Sequence, residues 1–225
     1  NYRTNIVGNL FTSPADIDIT VKPAFGNPDE NIITGVTNLN AANTAFANGA
    51  TSVTVEEITS SDPDVIVLPA TTAEVSLTLP AAPNGKTITI KYPDSASNVP
   101  ATVNIKAVNA ENLTIEAPQS HVELNGITVT NLTASTSNNT LVVGSDVTVN
   151  TLTIEAGSAV IYGKVTKLVK GANAGEIEWH VTTSGSLTKA LKVADKIVLE
   201  KAIKPIIQSS SFTIERDVTI DMNGF

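Results

Sequence analysis

The stretch Leu113–Ala117 reads LTIEA, and Leu152–Ala156 reads LTIEA again. The copies start 39 residues apart, at residues 113 and 152, which leaves room for one unlabelled copy between them at a period of about 19–20 residues. Three lines can be laid out in that register. Asn112–Thr130 is NLTIEAPQSHVELNGITVT, Asn131–Val149 is NLTASTSNNTLVVGSDVTV, and Thr151–Leu168 is TLTIEAGSAVIYGKVTKL. Each has a Leu-Thr start, a polar corner, a V-x-L-like strand, a glycine corner and a final V-T strand. The alignment predicts that Leu113, Leu132 and Leu152 stack, and that Val122, Leu141 and Val160 stack. It also puts Gly126, Gly144 and Gly163 at one corner, where a turn with positive φ suits glycine.

A period of this length has a geometric meaning. Three strands of about five residues plus their corners close one coil, and successive coils pair as parallel strands ~4.8 Å apart. The predicted fold class is therefore all-β: a right-handed, single-stranded parallel β-helix with about 19–20 residues per coil, short capping helices and an N-terminal β-hairpin. Alternate side chains of each strand face inward, so like stacks on like from coil to coil. An antiparallel sandwich also consists of short strands, but has no reason to keep a fixed period with aligned identities.

Composition agrees with strands and narrows the function. Hydrophobic residues make up 41% of the 225 and aromatics 4%, so Thr, Val, Ile, Ala, Asn and Ser dominate. A net charge of −8 and a pI near 4.7 oppose nucleic-acid binding, which needs a basic footprint. The chain has no cysteine, which removes disulfides, thiol catalysis and Cys-based metal sites. No apolar run reaches the ~18 residues of a membrane span, so direct membrane insertion by this chain is not expected.

Outside the repeat, Tyr2–Val7 and Asp16–Val21 are strand-like, and Gly26–Glu30 reads as a linker. Leu39–Ala47 has helical spacing and stops at Asn48-Gly49. Ser186–Ala194 repeats that grammar, with Ser186 as the expected N-cap. Both helices are read as N-terminal caps of coil runs. The expected organisation is residues 1–30 as terminal strands plus linker, residues 31–172 as a β-helix with a cap helix near 39–47, and residues 173–225 as a cap helix near 186–194 opening a second, truncated β-helix.

Two segments carry a resemblance. Asn1–Leu10 (NYRTNIVGNL), Phe11-Thr12-Ser13 and the Asp16–Phe25 strand resemble the closing strands of fimbrillin-like domains in surface proteins of Bacteroides-type bacteria. Val218–Gly224 (VTIDMNG), preceded by an L-x-x-A-L helix, resembles the opening coils of β-helix regions attached to such proteins. The resemblance implies a non-enzymatic adhesin or structural stalk, a lipoprotein of the outer membrane exported to the cell surface, with host or bacterial surface glycans or proteins as partners. It brings no catalytic residues with it.

The chemistry-bearing residues agree with a non-enzymatic role. The alternative is a polysaccharide lyase or hydrolase, or a carbohydrate-binding module, because β-helices also serve those functions. Carboxylate hydrolysis needs two acids about 5–9.5 Å apart. The regular coils offer Glu116, Glu123, Asp146 and Glu155, and the alignment places Glu116 and Glu155 at one repeat position with Ser135 between. Asp62 with Asp64, and Asp217 with Asp221, lack an evident third metal ligand. His121 and His180 read as isolated strand or corner histidines, and Ser209–Ser211 as a polar turn. Trp179, Tyr92 and Tyr162 are the aromatic candidates for sugar contact, with core packing the competing use. Asp94-Ser95-Ala96 resembles an O-glycosylation acceptor of the same bacterial group. No catalytic, cofactor-binding or metal-binding residue is assigned, and no cofactor is expected.

Overall fold

The computed structural model describes residues 32–94, 97–203 and 214–225. The strand-like segments before residue 31, Ser95-Ala96 and Ser209–Ser211 lie outside those residues. In chain order the elements are β1 (Ile32–Val36), α1 (Leu39–Ala47), β2 (Ser52–Val55), β3 (Val65–Val67), β4 (Val75–Thr78), β5 (Thr87–Lys91), β6 (Thr102–Lys106) and β7 (Asn109–Glu116). They continue with β8 (His121–Asn125), β9 (Thr128–Val143), β10 (Thr148–Ile161), β11 (Lys164–Val181), α2 (Ser184–Ala190), β12 (Lys196–Leu199) and β13 (Thr219–Asp221). All strand pairs are parallel. The fold is an all-β parallel β-helix.

One interior column runs the length of the stack. Ile33, Val53, Leu77, Ile105, Leu124, Val143, Ile161, Trp179, Ile197 and Ile220 are successive Cα partners. From Val53 to Ile197 every member is essentially inaccessible to water, whereas Ile33 is partly buried and Ile220 is 37% exposed. Burying each of these side chains contributes about 1.5–3 kcal/mol, which is how strands of four or five residues overcome their ordering entropy. From Ile105 to Ile197 the steps are 19, 19, 18, 18 and 18 residues, close to the expected period. The earlier steps of 24 and 28 residues accommodate loops.

In the regular coils each turn presents three faces. The first carries Val129, Val149 and Val165. The second carries Leu113, Leu132, Leu152 and Leu168, with Ile115, Ala134 and Ile154 beside them. The third carries the long column and, beside it, Val122, Leu141, Ala159 and Ile177. The leucine stack is thus as expected, but the position beside Val122 and Leu141 belongs to Ala159 and not Val160. Register shifts between Ile154 and Ala156 and between Ala156 and Ser158 leave this corner two residues shorter than its counterpart between Ala134 and Thr140. Val160 consequently faces outward.

Of the three corner glycines Gly163 lies against Gly144, whereas Gly126 lies against Ala107 and Asp146, and they are glycines for two different reasons. Gly126 has φ +65°, as the turn argument requires. Gly144 and Gly163 are not left-handed; a Cβ on Gly144 would lie 2.6 Å from the Leu124 carbonyl oxygen, and one on Gly163 would lie 2.7 Å from that of Gly144. Close backbone approach between coils excludes a side chain at those two.

The helices differ from expectation in place and in one cap. In chain order α1 lies between β1 and β2 and α2 between β11 and β12, so a strand of the stack precedes each helix. α1 begins at Asn38, whose side chain accepts from Ala41 N at 2.9 Å, and buries Leu39, Ala42, Ala45 and Phe46. It covers the free edge of β3. Asn43 donates its Nδ2 to the Val65 carbonyl at 2.9 Å and accepts the Val67 N–H at 2.8 Å, so its amide takes the place of a neighbouring strand. α2 is capped by Thr183, not Ser186. Thr183 Oγ1 accepts the Ser186 N–H and Ser186 Oγ accepts the Thr183 N–H, both at 3.1 Å, a reciprocal box that starts the helix two residues early. The chain then turns through Ala190–Ala194 before β12.

β11 runs through the division expected at residues 172 and 173. Its last residues pair with β12, which pairs with β13. The long column crosses that division in register.

Candidate functional site

The outward side chains of the third face are small and neutral at first, and charged toward the last coils. One outer row runs Ser52, Ser76, Asn104, Glu123, Val142, Val160, Glu178, Lys196 and Thr219. At Glu178 and Lys196 this row becomes an ion pair of 2.7 Å between adjacent coils. Two residues along the same strand as Glu178, His180 turns both ring nitrogens to carboxylates. Nε2 meets Glu178 Oε1 at 2.7 Å, and Nδ1 meets Glu200 Oε1 from the following coil. Tyr162, one coil back, lays its ring on His180 with centroids 4.1 Å apart at 33°. Five residues thus form one network, of which the sequence reading weighed only Tyr162 and His180, and those separately. The signal was the i, i+2 pair Glu178-His180, which a strand puts on one face.

A second hub lies beside it. Asp195 Oδ2 accepts from Lys170 Nζ at 2.7 Å and from Ile177 N–H at 2.8 Å, and Oδ1 accepts from Arg216 Nη2 at 2.6 Å. Arg216 also donates to the Ala194 carbonyl. Lys170 is the register partner of the buried Ile154, so it is the point where the second face changes from core residue to exposed cation. Asp195 holds that end to the third face. A depression of about 480 Å³ lined by Lys170, Glu176, Asp195, Lys196 and Thr219 opens over the hub.

The electrostatics follow from these contacts. The hydrogen bond from Lys196 is the main cause that holds the Glu178 carboxyl below its ordinary range, with His180 adding to it against the opposing effect of burial. For Asp195, burial is the largest single influence and acts upward. The bonds from Lys170, Ile177 N–H and Arg216 together outweigh it, and the carboxyl lies lower than usual. Lys196 is raised by its bond to Glu178.

The remaining sequence candidates are dispersed. Glu116 partners Ser135, but Ser135 partners Ala156, and Glu155 is the extra residue at the register shift, so the two glutamates do not share a position. Glu123 approaches His121 Nε2 at 3.2 Å on the third face. Asp62 caps its own loop by accepting from Thr59 N–H at 2.7 Å, and Asp64 pairs with the nearly buried Lys86 at 2.7 Å. Asp221 accepts from Asn223 N–H at 2.9 Å, and Asp217 is exposed. Asp94 pairs with Lys91 at 2.7 Å.

Trp179 is 1% exposed and sits in the core column. Tyr92 is half-buried and hydrogen-bonded to Ser120. Tyr162, at 45%, is the exposed aromatic of the regular coils. Among the described residues, no three His, Cys, Asp or Glu side chains are placed to hold a metal ion, and no helix is long and apolar enough to cross a membrane.

Comparison with known proteins returns no match: no family model fits the chain, and no curated protein or solved structure is similar to it.

Proposed function

We propose that the chain is part of a non-enzymatic protein of a bacterial cell surface, serving as an adhesive module or structural stalk. The unbroken interior column carries this reading. Its nine steps of ~4.8 Å place the ends roughly 43 Å apart, with polar side chains in ranks outside. Such a stack sets a distance and displays a surface. Polysaccharide lyases and hydrolases also use parallel β-helices, so the fold by itself does not choose between them. The separate positions of Glu116, Glu123, Asp146 and Glu155 favour the adhesive reading. The resemblance of the chain's first and last segments to surface proteins adds export and a lipid anchor to the proposal.

Antibodies to the solenoid should label intact cells, and deleting the coils from the gene should reduce attachment to host or bacterial surfaces without slowing growth. Labelling only after lysis, or turnover of an acidic polysaccharide by the full-length protein, would overturn the reading.

A further inference from the structure

The exposed ring of Tyr162 lies at a corner whose floor has no side chain. Ile161 partners Val143, so Gly144, the residue after Val143, lies one coil back alongside Tyr162. Tyr162 leans the other way, onto His180. Two polar groups converge over Gly144. A Cβ built there would lie 2.8 Å from Asn125 Oδ1 and 3.2 Å from Asp146 Oδ1. Asp146 is exposed, and among the described residues its carboxylate forms no ion pair. Val142 and Val160, partners on the outward row of the third face, are half-buried and form an apolar shoulder leading to the tyrosine.

We propose that this corner binds one neutral pyranose unit of a glycan, an inference that rests on the adhesive reading and names its ligand class. The chemistry of the three groups is complementary to a sugar. A pyranose has an apolar C–H face, which stacks on an exposed ring held from behind by His180. Its equatorial hydroxyls donate to the Asp146 carboxylate and exchange bonds in both directions with the Asn125 amide. The absent side chain at Gly144 lets the Asn125 and Asp146 oxygens close in over the same backbone, so one ligand edge meets both. The group that meets the hydroxyls, Asp146, is a carboxylate with no ion pair among the described residues, so a uronate or sialate carboxylate would meet repulsion at the contact itself, and the class is narrowed to neutral sugars.

The test is binding of the whole chain to an array carrying neutral hexose, N-acetylhexosamine, uronate and sialylated oligosaccharides. Retention on neutral glycans is expected, with Tyr162→Ala and Asp146→Asn each weakening it about tenfold, the scale of one lost stacking or charged hydrogen-bond contact. Thr166→Ala, on the first face, should leave binding unchanged. Asp146→Asn is an isosteric change at an exposed position, so it reports on binding even where Tyr162→Ala disturbs the His180 network. No retention of any neutral glycan, or retention unaffected by both variants, overturns the site. Cell attachment that persists with Tyr162→Ala and Asp146→Asn would reject the site and leave the adhesive reading intact. Failure of the surface labelling would reject the reading itself.

Discussion

Asp195 is a small acid with a large share of the connections between the last coils. Its carboxylate bonds Lys170, Ile177 N–H and Arg216, and its backbone accepts the Thr219 N–H at 2.9 Å. Because its carboxyl, like that of Glu178, is held below the ordinary range in the fold, the stability it contributes is complete above the unfolded carboxylate values of about 3.9–4.3. It is lost as the pH falls through the lower folded values. Asp195→Asn should therefore cost about 2 kcal/mol at pH 7, the range for hydrogen bonds to a charged group. The variant should also show a smaller drop in Tm between pH 6 and pH 3 than the parent chain. Equal drops would show that the carboxylate is not held as described. None of this was legible in the sequence, where Asp195 is one acid in a loop and its partners lie 18 to 25 residues away in either direction. The same distance hid the His180 network, since Glu200 is 20 residues from His180. Contacts one coil apart become visible only when the coil length is known exactly, and a corner that changes length, as between Ile154 and Ser158, shifts the assignments beyond it.

Among the elements, α1 solves a problem that the strands create. β3 has one edge paired with β5 and, among the described residues, no strand on the other, which without α1 would be a row of N–H and C=O groups of the kind that recruits foreign strands. The helix buries Phe46 and Leu39 in the core and presents Asn43 to that edge. Replacing Asn43 with Leu keeps the number and branching of the side-chain heavy atoms and removes both bonds. The Val65 carbonyl and Val67 N–H would lose their partner, at a cost of about 1–3 kcal/mol. Amide exchange at Val67 should accelerate accordingly, with amides of the central β9 unchanged. Unaltered protection at Val67 would show that the helix does not seal the edge. The extent of α1 could be read from the sequence residue for residue because its apolar spacing and the Asn48-Gly49 stop are local signals. α2 could be read less exactly. Thr183 and Ser186 each have the chemistry of an N-cap, and the reciprocal bonding that selects Thr183 is a property of the folded turn.

At the scale of the molecule, the repeat settles the architecture. The two LTIEA copies are the same strand of coils two apart, and Leu113, Leu132 and Leu152 stack as the alignment requires. What the period could not supply was the length of the irregular coils before Ile105, where loops hide the repeat, and the continuity of one column across residues 172 and 173. The stacking is also open to a direct chemical test. The chain has no cysteine, so introduced pairs report without background. Thr114, Thr133 and Thr153 are outward-facing partners in three successive coils. Neighbouring coils put Cα atoms ~4.8 Å apart, inside the disulfide range of about 4.4–6.8 Å, whereas two coils separate them by ~9.6 Å. Under mild oxidation the Thr114→Cys/Thr133→Cys chain should form an intramolecular disulfide in high yield and the Thr114→Cys/Thr153→Cys chain should not. A disulfide in the second pair, or none in the first, would contradict the stacked coil.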